Sequence, residues 1–165
     1  MSRPALRQAG LVFLLAAGAV LVVATNRHPV SSSVPFFPCG TANAIGLSVS
    51  GPRSTVDLER AQPSADWTIP GEGRPVDQSR VTEFLNHLSL ILASPAPGGD
   101  SSPGATRLSV ECRVVGGASY TLSVGSPSPS SAGYFARKSG VAQLVVIPSV
   151  SVDAVDRFLA SPPVT

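Results

Sequence analysis

The 165-residue sequence has little of what most enzymes and nucleic-acid binders need. It has two histidines, two cysteines and one tryptophan. Its only lysine stands against eleven arginines. Charged residues make up 13% and aromatics 5%. Each scarcity excludes something. A nucleophilic serine needs a base and a group to orient that base. The only histidines are His28, beside an apolar run, and His87, on the flank of an expected helix. No G-x-S-x-G elbow is present. Two cysteines without C-x-x-C spacing or nearby histidines cannot make a zinc site. The segment 133–139 (GYFARKS) lacks the second glycine of a phosphate loop, and no helix start follows it. Neither a metal nor a cofactor is expected.

The charge balance is equally telling. The formal net charge is +2. Arg3, Arg7 and Arg27 flank the apolar run, and nine of the twelve basic residues lie beyond it. Ten acidic residues share that region, so it carries a net −1. A near-neutral domain has no electrostatic footprint for nucleic acid. One lysine against eleven arginines, with abundant Ala, Val, Gly and Pro, is the composition of a GC-rich bacterial gene.

What the sequence does have begins at residue 9. An uncharged run extends from Ala9 to Thr25 (AGLVFLLAAGAVLVVAT) with no polar stripe. As a helix it would be about 25 Å long. That is short for a hydrocarbon core of about 30 Å, yet longer than the usual secretory h-region. Two readings follow: an uncleaved single-span anchor, or a signal cut near Ala24. Arg3 and Arg7 place residues 1–8 in the cytoplasm and the rest outside it. Residues 9–25 would therefore partner the lipid bilayer. Cys39 lacks the flanking residues of a lipoprotein signal.

Residues 26–44, rich in Pro and Ser, read as an extended stalk. Phe36 and Phe37 either dock on the domain or dip into the membrane interface. The remaining residues, 45–161, are long enough for one domain with a core. Alternation predicts strands over 54–60, 66–69, 108–114, 120–124, 134–137 and 141–147. An amphipathic helix is predicted from Asp77 to Leu92, with Val81, Phe84, Leu85, Leu88, Ile91 and Leu92 inward. A short helix capped by Ser149 or Ser151 follows. The order β-β-α-β-β-β-β-α predicts an α+β domain: an antiparallel sheet of about six strands, with one long and one short helix packed on it.

Two sets of residues are candidates for a role. Cys39 and Cys112, in an exported chain, are either a disulfide or two separate thiols. Trp67, Tyr120 and Tyr134 are either core and surface aromatics or a strip that binds sugar or peptide. The carboxylate pairs Asp57/Glu59 and Asp153/Asp156 read as a solvated strand face and a helix first turn, not as acid–base pairs.

The succession Val56-Asp57-Leu58-Glu59-Arg60, Asp66-Trp67-Thr68-Ile69 and Arg74-Pro75-Val76-Asp77 before an amphipathic helix resembles bacterial domain-of-unknown-function family 4340. The hairpin stretch Tyr120-Thr121-Leu122-Ser123-Val124-Gly125 and the strand Tyr134-Phe135-Ala136-Arg137 extend the resemblance over roughly residues 45–160. The family's element after the helix is replaced here by residues 98–105. The resemblance implies a membrane-anchored envelope protein without an established enzymatic activity, some members working beside ABC-transporter components. Two functions are thus expected from the sequence. The first is a non-catalytic module in an envelope protein complex. The second is an exported binding domain for a cell-wall or small-molecule ligand.

Overall fold

The structure, a computed structural model, describes residues 35–96, 103–129 and 133–164. The run 9–25 and the stalk up to residue 34 lie outside the described residues. Among the described residues no helix is long and apolar enough to cross a membrane.

Seven antiparallel strands form one sheet, and two helices pack on it, which is an α+β architecture. The strands are β1 (Ala44–Ser50), β2 (Thr55–Glu59), β3 (Ser94–Pro95), β4 (Leu108–Val114), β5 (Ser119–Pro127), β6 (Gly133–Lys138) and β7 (Val145–Pro148). Their spatial order is β2-β1-β4-β5-β6-β7-β3. Helix α1 spans Gln78–Ser89 and α2 spans Ser149–Ala160.

Register explains why alternation decides the faces. Leu47 pairs with Leu58 and Cys112, and Val49 with Val56 and Val110. Val110 in turn faces Leu122, and Val124 faces Ala136. All of these are buried, so one face of the sheet is a continuous apolar floor. At Gly116-Gly117, the β4–β5 turn needs φ of 91° and 85°, values that only glycine adopts without strain.

The floor is roofed by elements that run across the strands. Helix α2 starts directly after β7, and Leu159 near its end stands beside Gly51, just past β1. Helix α1 lies antiparallel to it. Arg80 at the start of α1 donates to the Ser161 and Pro162 carbonyls beyond α2. Further along, Phe84 stacks on Phe158 with ring centroids 4.0 Å apart. The Asp77 carboxylate caps α1 by accepting from the Ser79 and Arg80 amides.

Residues 36–43 complete the roof as an irregular strap. Phe36 lies under the Lys138 ammonium on β6, Cys39 is bonded to Cys112 on β4, and Ala44 opens β1. Phe37 and Cys39 are fully buried. The stretch assigned to the end of a stalk therefore packs against the domain, and Phe37 docks in the core.

Several details depart from the sequence reading. There are seven strands rather than about six. Strand β1 lies outside the predicted strands, although Leu47 and Val49 alternate with Gly46, Ser48 and Ser50 in the period of a half-buried strand. Strand β3 consists of two residues, the second a proline. Residues 66–69 do not form a strand. Only Thr68 bridges to Glu59 and Pro75. The Gln78 side chain occupies both backbone groups of Trp67, accepting from its N–H and donating to its carbonyl. The two helices are equal in length, twelve residues each. Helix α2 is capped by Pro148 without a side-chain bond, not by a serine. Helix α1 ends at Ser89, which leaves Ile91 buried but turns Leu92 out to 74% exposure.

Candidate functional site

The structure brings Cys39 and Cys112 together in a disulfide, with Cα atoms 6.1 Å apart and a sequence separation of 73. Strand alternation puts Cys112 on the apolar face of β4. The strap reaches it because its own turn is held locally. The Asn43 side chain accepts from the Gly40 amide at 2.9 Å and donates to the Pro38 carbonyl at 3.0 Å.

Arg60 secures the same strap from the β2 side. Its guanidinium donates to the carbonyls of Thr41 (2.6 Å), Ala44 (2.8 Å) and Pro63. It also lies over the Trp67 ring, 4.6 Å from the centroid. Burial removes part of its hydration and lowers its pKa below the ordinary arginine value. Nothing in the local sequence marks Arg60 for this role. Its acceptors lie up to 19 residues away, and only the fold assembles them.

Trp67, Tyr120 and Tyr134 do not form a common surface. Trp67 is 2% exposed and has the Arg60 guanidinium over its ring. Tyr120 is half-buried near the start of β5, opposite Cys112. Tyr134 pairs with Pro127 at the other end of β5. Its ring lies under Arg107, 5.4 Å from the centroid, and its hydroxyl takes an Arg107 N–H at 3.2 Å. Arg107 also pairs with Asp156 at 2.7 Å, joining the β4 approach to α2.

Several open depressions contain titratable groups. One of about 470 Å³ runs along α1, where Ser79, Thr82 and Asn86 join Glu83 and His87. The groove between α1 and α2, about 340 Å³, has Arg80, Glu83, His87 and Arg157 over the Phe84–Phe158 stack. His87 stands 3.9 Å from Glu83, one helical turn away, and both are solvent-exposed. No Ser, Thr or Cys lines this groove, whereas Ser79 and Thr82 line the adjoining depression that His87 and Glu83 also border.

Another depression, about 370 Å³, lies on the open face of the sheet and includes Asp57, Glu59, Glu111 and Arg113. Asp57 and Glu59 share that face with Ser48 and Glu111. Arg113 approaches Glu59 to 3.9 Å. The polar face is regular. Thr55, Ser50, Ser109, Ser123 and Arg137 pair in one row across five strands. Among the described residues no group of three or more His, Cys, Asp or Glu side chains is placed to hold a metal ion. Asp153 and Asp156 sit beyond the first turn of α2, contrary to their expected place, and Asp156 is engaged by Arg107.

The arrangement defines a small disulfide-fastened α+β domain whose best-organised polar groups, around Arg60 and Arg107, bind the protein to itself. No family model, no curated protein and no solved structure matches the chain.

Proposed function

We propose that the protein is a non-catalytic, membrane-anchored module that works outside the cytoplasm within an envelope protein complex. The observation that carries the reading is the Cys39–Cys112 bond, with both cysteines fully buried. Structural disulfides persist where the surroundings are oxidising, which in bacteria means outside the cytoplasmic membrane. The uncharged run from Ala9 to Thr25, behind Arg3 and Arg7, supplies the tether and its orientation. The resemblance to domain-of-unknown-function family 4340 adds envelope proteins, among them transporter components, as the class of partner.

A tether gives this reading its physical sense. Confinement near a membrane raises the local concentration of the domain, so weak contacts with neighbouring membrane proteins suffice. The alternative, an exported domain binding a cell-wall or small ligand, has no comparable support, because the Trp67 ring is covered and the three aromatics are dispersed.

Membrane fractionation with protease protection, followed by gentle cross-linking and purification of the tethered chain, tests the proposal. The expected result is a membrane-bound form, digested only from the outside, that carries at least one integral membrane protein. A soluble mature form beginning near Thr25, or partner-free protein after cross-linking, would overturn it. Tight glycan binding by the isolated chain would transfer the assignment to the ligand-binding alternative.

A further inference from the structure

The two cysteines are held in very different ways. Cys39 belongs to the strap, whose backbone hydrogen bonds run mostly within the strap itself. The Cys39 amide donates to the Phe37 carbonyl, and the Asn43 and Ala44 amides donate to the Gly40 carbonyl. The bond from the Val115 amide to the Asn43 carbonyl ties one end of the strap to the backbone of the rest. Otherwise side chains hold it: the buried Phe37, the Arg60 guanidinium on Thr41, and the sulfur bridge. Cys112, by contrast, sits within β4 between Leu47 of β1 and Tyr120 of β5. Sheet pairing also brings the strap to it. Ala44, where the strap runs into β1, pairs with Val114, two residues from Cys112. Once the bond is closed, both cysteines are fully buried.

We propose that Cys39 is the sulfur through which the bond is made, exchanging with an external disulfide while the strap alone is open and the sheet is already formed. The Cys39 thiolate attacks the donor disulfide and expels one donor thiolate. The Cys112 thiolate then attacks the Cys39 sulfur of this mixed disulfide and expels the second donor thiolate. Two electrons pass to the donor, and the two cysteine protons end on its thiols. The order follows from the fold. Closing a loop with a sequence separation of 73 in an unfolded chain carries an entropic cost. Pairing β1 with β4 meets that cost beforehand and leaves only the short strap to find Cys112, at a high effective concentration. A donor must line up with the attacking sulfur. A lifted strap permits this at Cys39, whereas Cys112 stays fixed in the floor of the sheet. The inference draws on the proposed extracytoplasmic placement only for the presence of a donor. An assay with glutathione on the purified chain succeeds or fails independently of that placement.

The full chain carrying Cys112→Ala, and separately Cys39→Ala, is held in mild detergent and given glutathione disulfide as the probe. Trp67, the sole tryptophan and buried, reports by a blue-shifted emission that the domain is folded. Both variants are expected to fold. Cys39 of the Cys112→Ala protein should take up glutathione about tenfold or more faster than Cys112 of the Cys39→Ala protein. Its rate should change little over the urea concentrations that leave Trp67 blue-shifted, because opening the strap alone exposes little surface. In full urea the two variants should react alike. Equal uptake by the folded variants would overturn the assignment to Cys39, and so would a difference that survives in full urea, since its cause would lie outside the fold. Uptake that rises with urea in step with global unfolding would overturn exchange through the strap. A red-shifted, unfolded Cys112→Ala protein would do the same. The parent chain, reduced, refolded with the same probe and quenched in acid, gives a second reading. The trapped mixed disulfide is expected at Cys39, and its appearance at Cys112 would reverse the roles of the two sulfurs.

Discussion

Replacing Cys39 and Cys112 together by alanine removes the cross-link that fastens the strap to the sheet. The bond closes a loop with a sequence separation of 73. The chain-entropy relation assigns a loop of that size about 4 kcal/mol at 25 °C. Both cysteines are fully buried, so losing the sulfurs adds about 1 kcal/mol of packing. A domain of this size has a total stability of about 5–15 kcal/mol, so the loss is a large fraction of it. At about 3 °C per kcal/mol, the melting temperature should fall by about 15 °C. The protein supplies its own reporter. Trp67 is the sole tryptophan, 2% exposed beneath Arg60, and its emission shifts to the red when that site opens. Thermal melts of the full chain in mild detergent, read at Trp67 for the oxidised parent and the double variant, give the comparison. Amide exchange adds a local measure. The Ala44 amide, bound to the Gly40 carbonyl, and the Val115 amide, bound to the Asn43 carbonyl, should exchange faster in the variant than amides inside α1. A loss below about 1 kcal/mol, with protected amides at both positions, would refute the reasoning. It would mean that Phe37 and the Arg60 bonds hold the strap without the sulfurs.

Two further substitutions probe the roof. Leu85→Ala, at a fully buried position on α1, should cost about 2–5 kcal/mol in denaturant unfolding, and an unchanged midpoint would show that α1 presents a different face to the sheet. Arg60→Met keeps much of the stem that lies by Trp67 but abandons three carbonyls, and a loss of about 2–3 kcal/mol is expected; a neutral result would mean that water replaces the guanidinium without cost.

How far the sequence revealed these features depended on the range of the interactions behind them. Strand β4 was plain in the alternation of Leu108, Val110, Cys112 and Val114, and its hairpin with β5 in Gly116-Gly117. Helix α1 could be read from Asp77 and the spacing of Val81, Phe84, Leu85 and Leu88. These are local signals of period and punctuation. Strand β1 carries the same period, Leu47 and Val49 against Gly46, Ser48 and Ser50, but the small residues of its polar face have weak strand preference and it stays outside the predicted strands. Residues 66–69 misled for the converse reason. Their alternation looks like a strand, but a glutamine eleven residues on satisfies the Trp67 backbone. The candidate site divided along the same line. Cysteine count and compartment suggested the pairing of Cys39 with Cys112. The grip of Arg60 on Thr41 and Ala44, and of Arg107 on Asp156, depends on distant partners that no short motif records.

The placement of the disulfide also determines how the domain would bear a mechanical load. A pull on the amino-terminal end meets Phe36 and Phe37 first and then arrives at Cys39. From there it passes through covalent sulfur to Cys112, in a strand held by β1 on one side and β5 on the other. The residues between the two cysteines, including β1, β2 and α1, are bypassed and carry no tension. The extension that such a pull can draw from the described residues is therefore limited to those before Cys39. Without the bond, the same pull would peel the strap from the sheet and draw on β1 next, a path that lengthens the pulled segment one residue at a time.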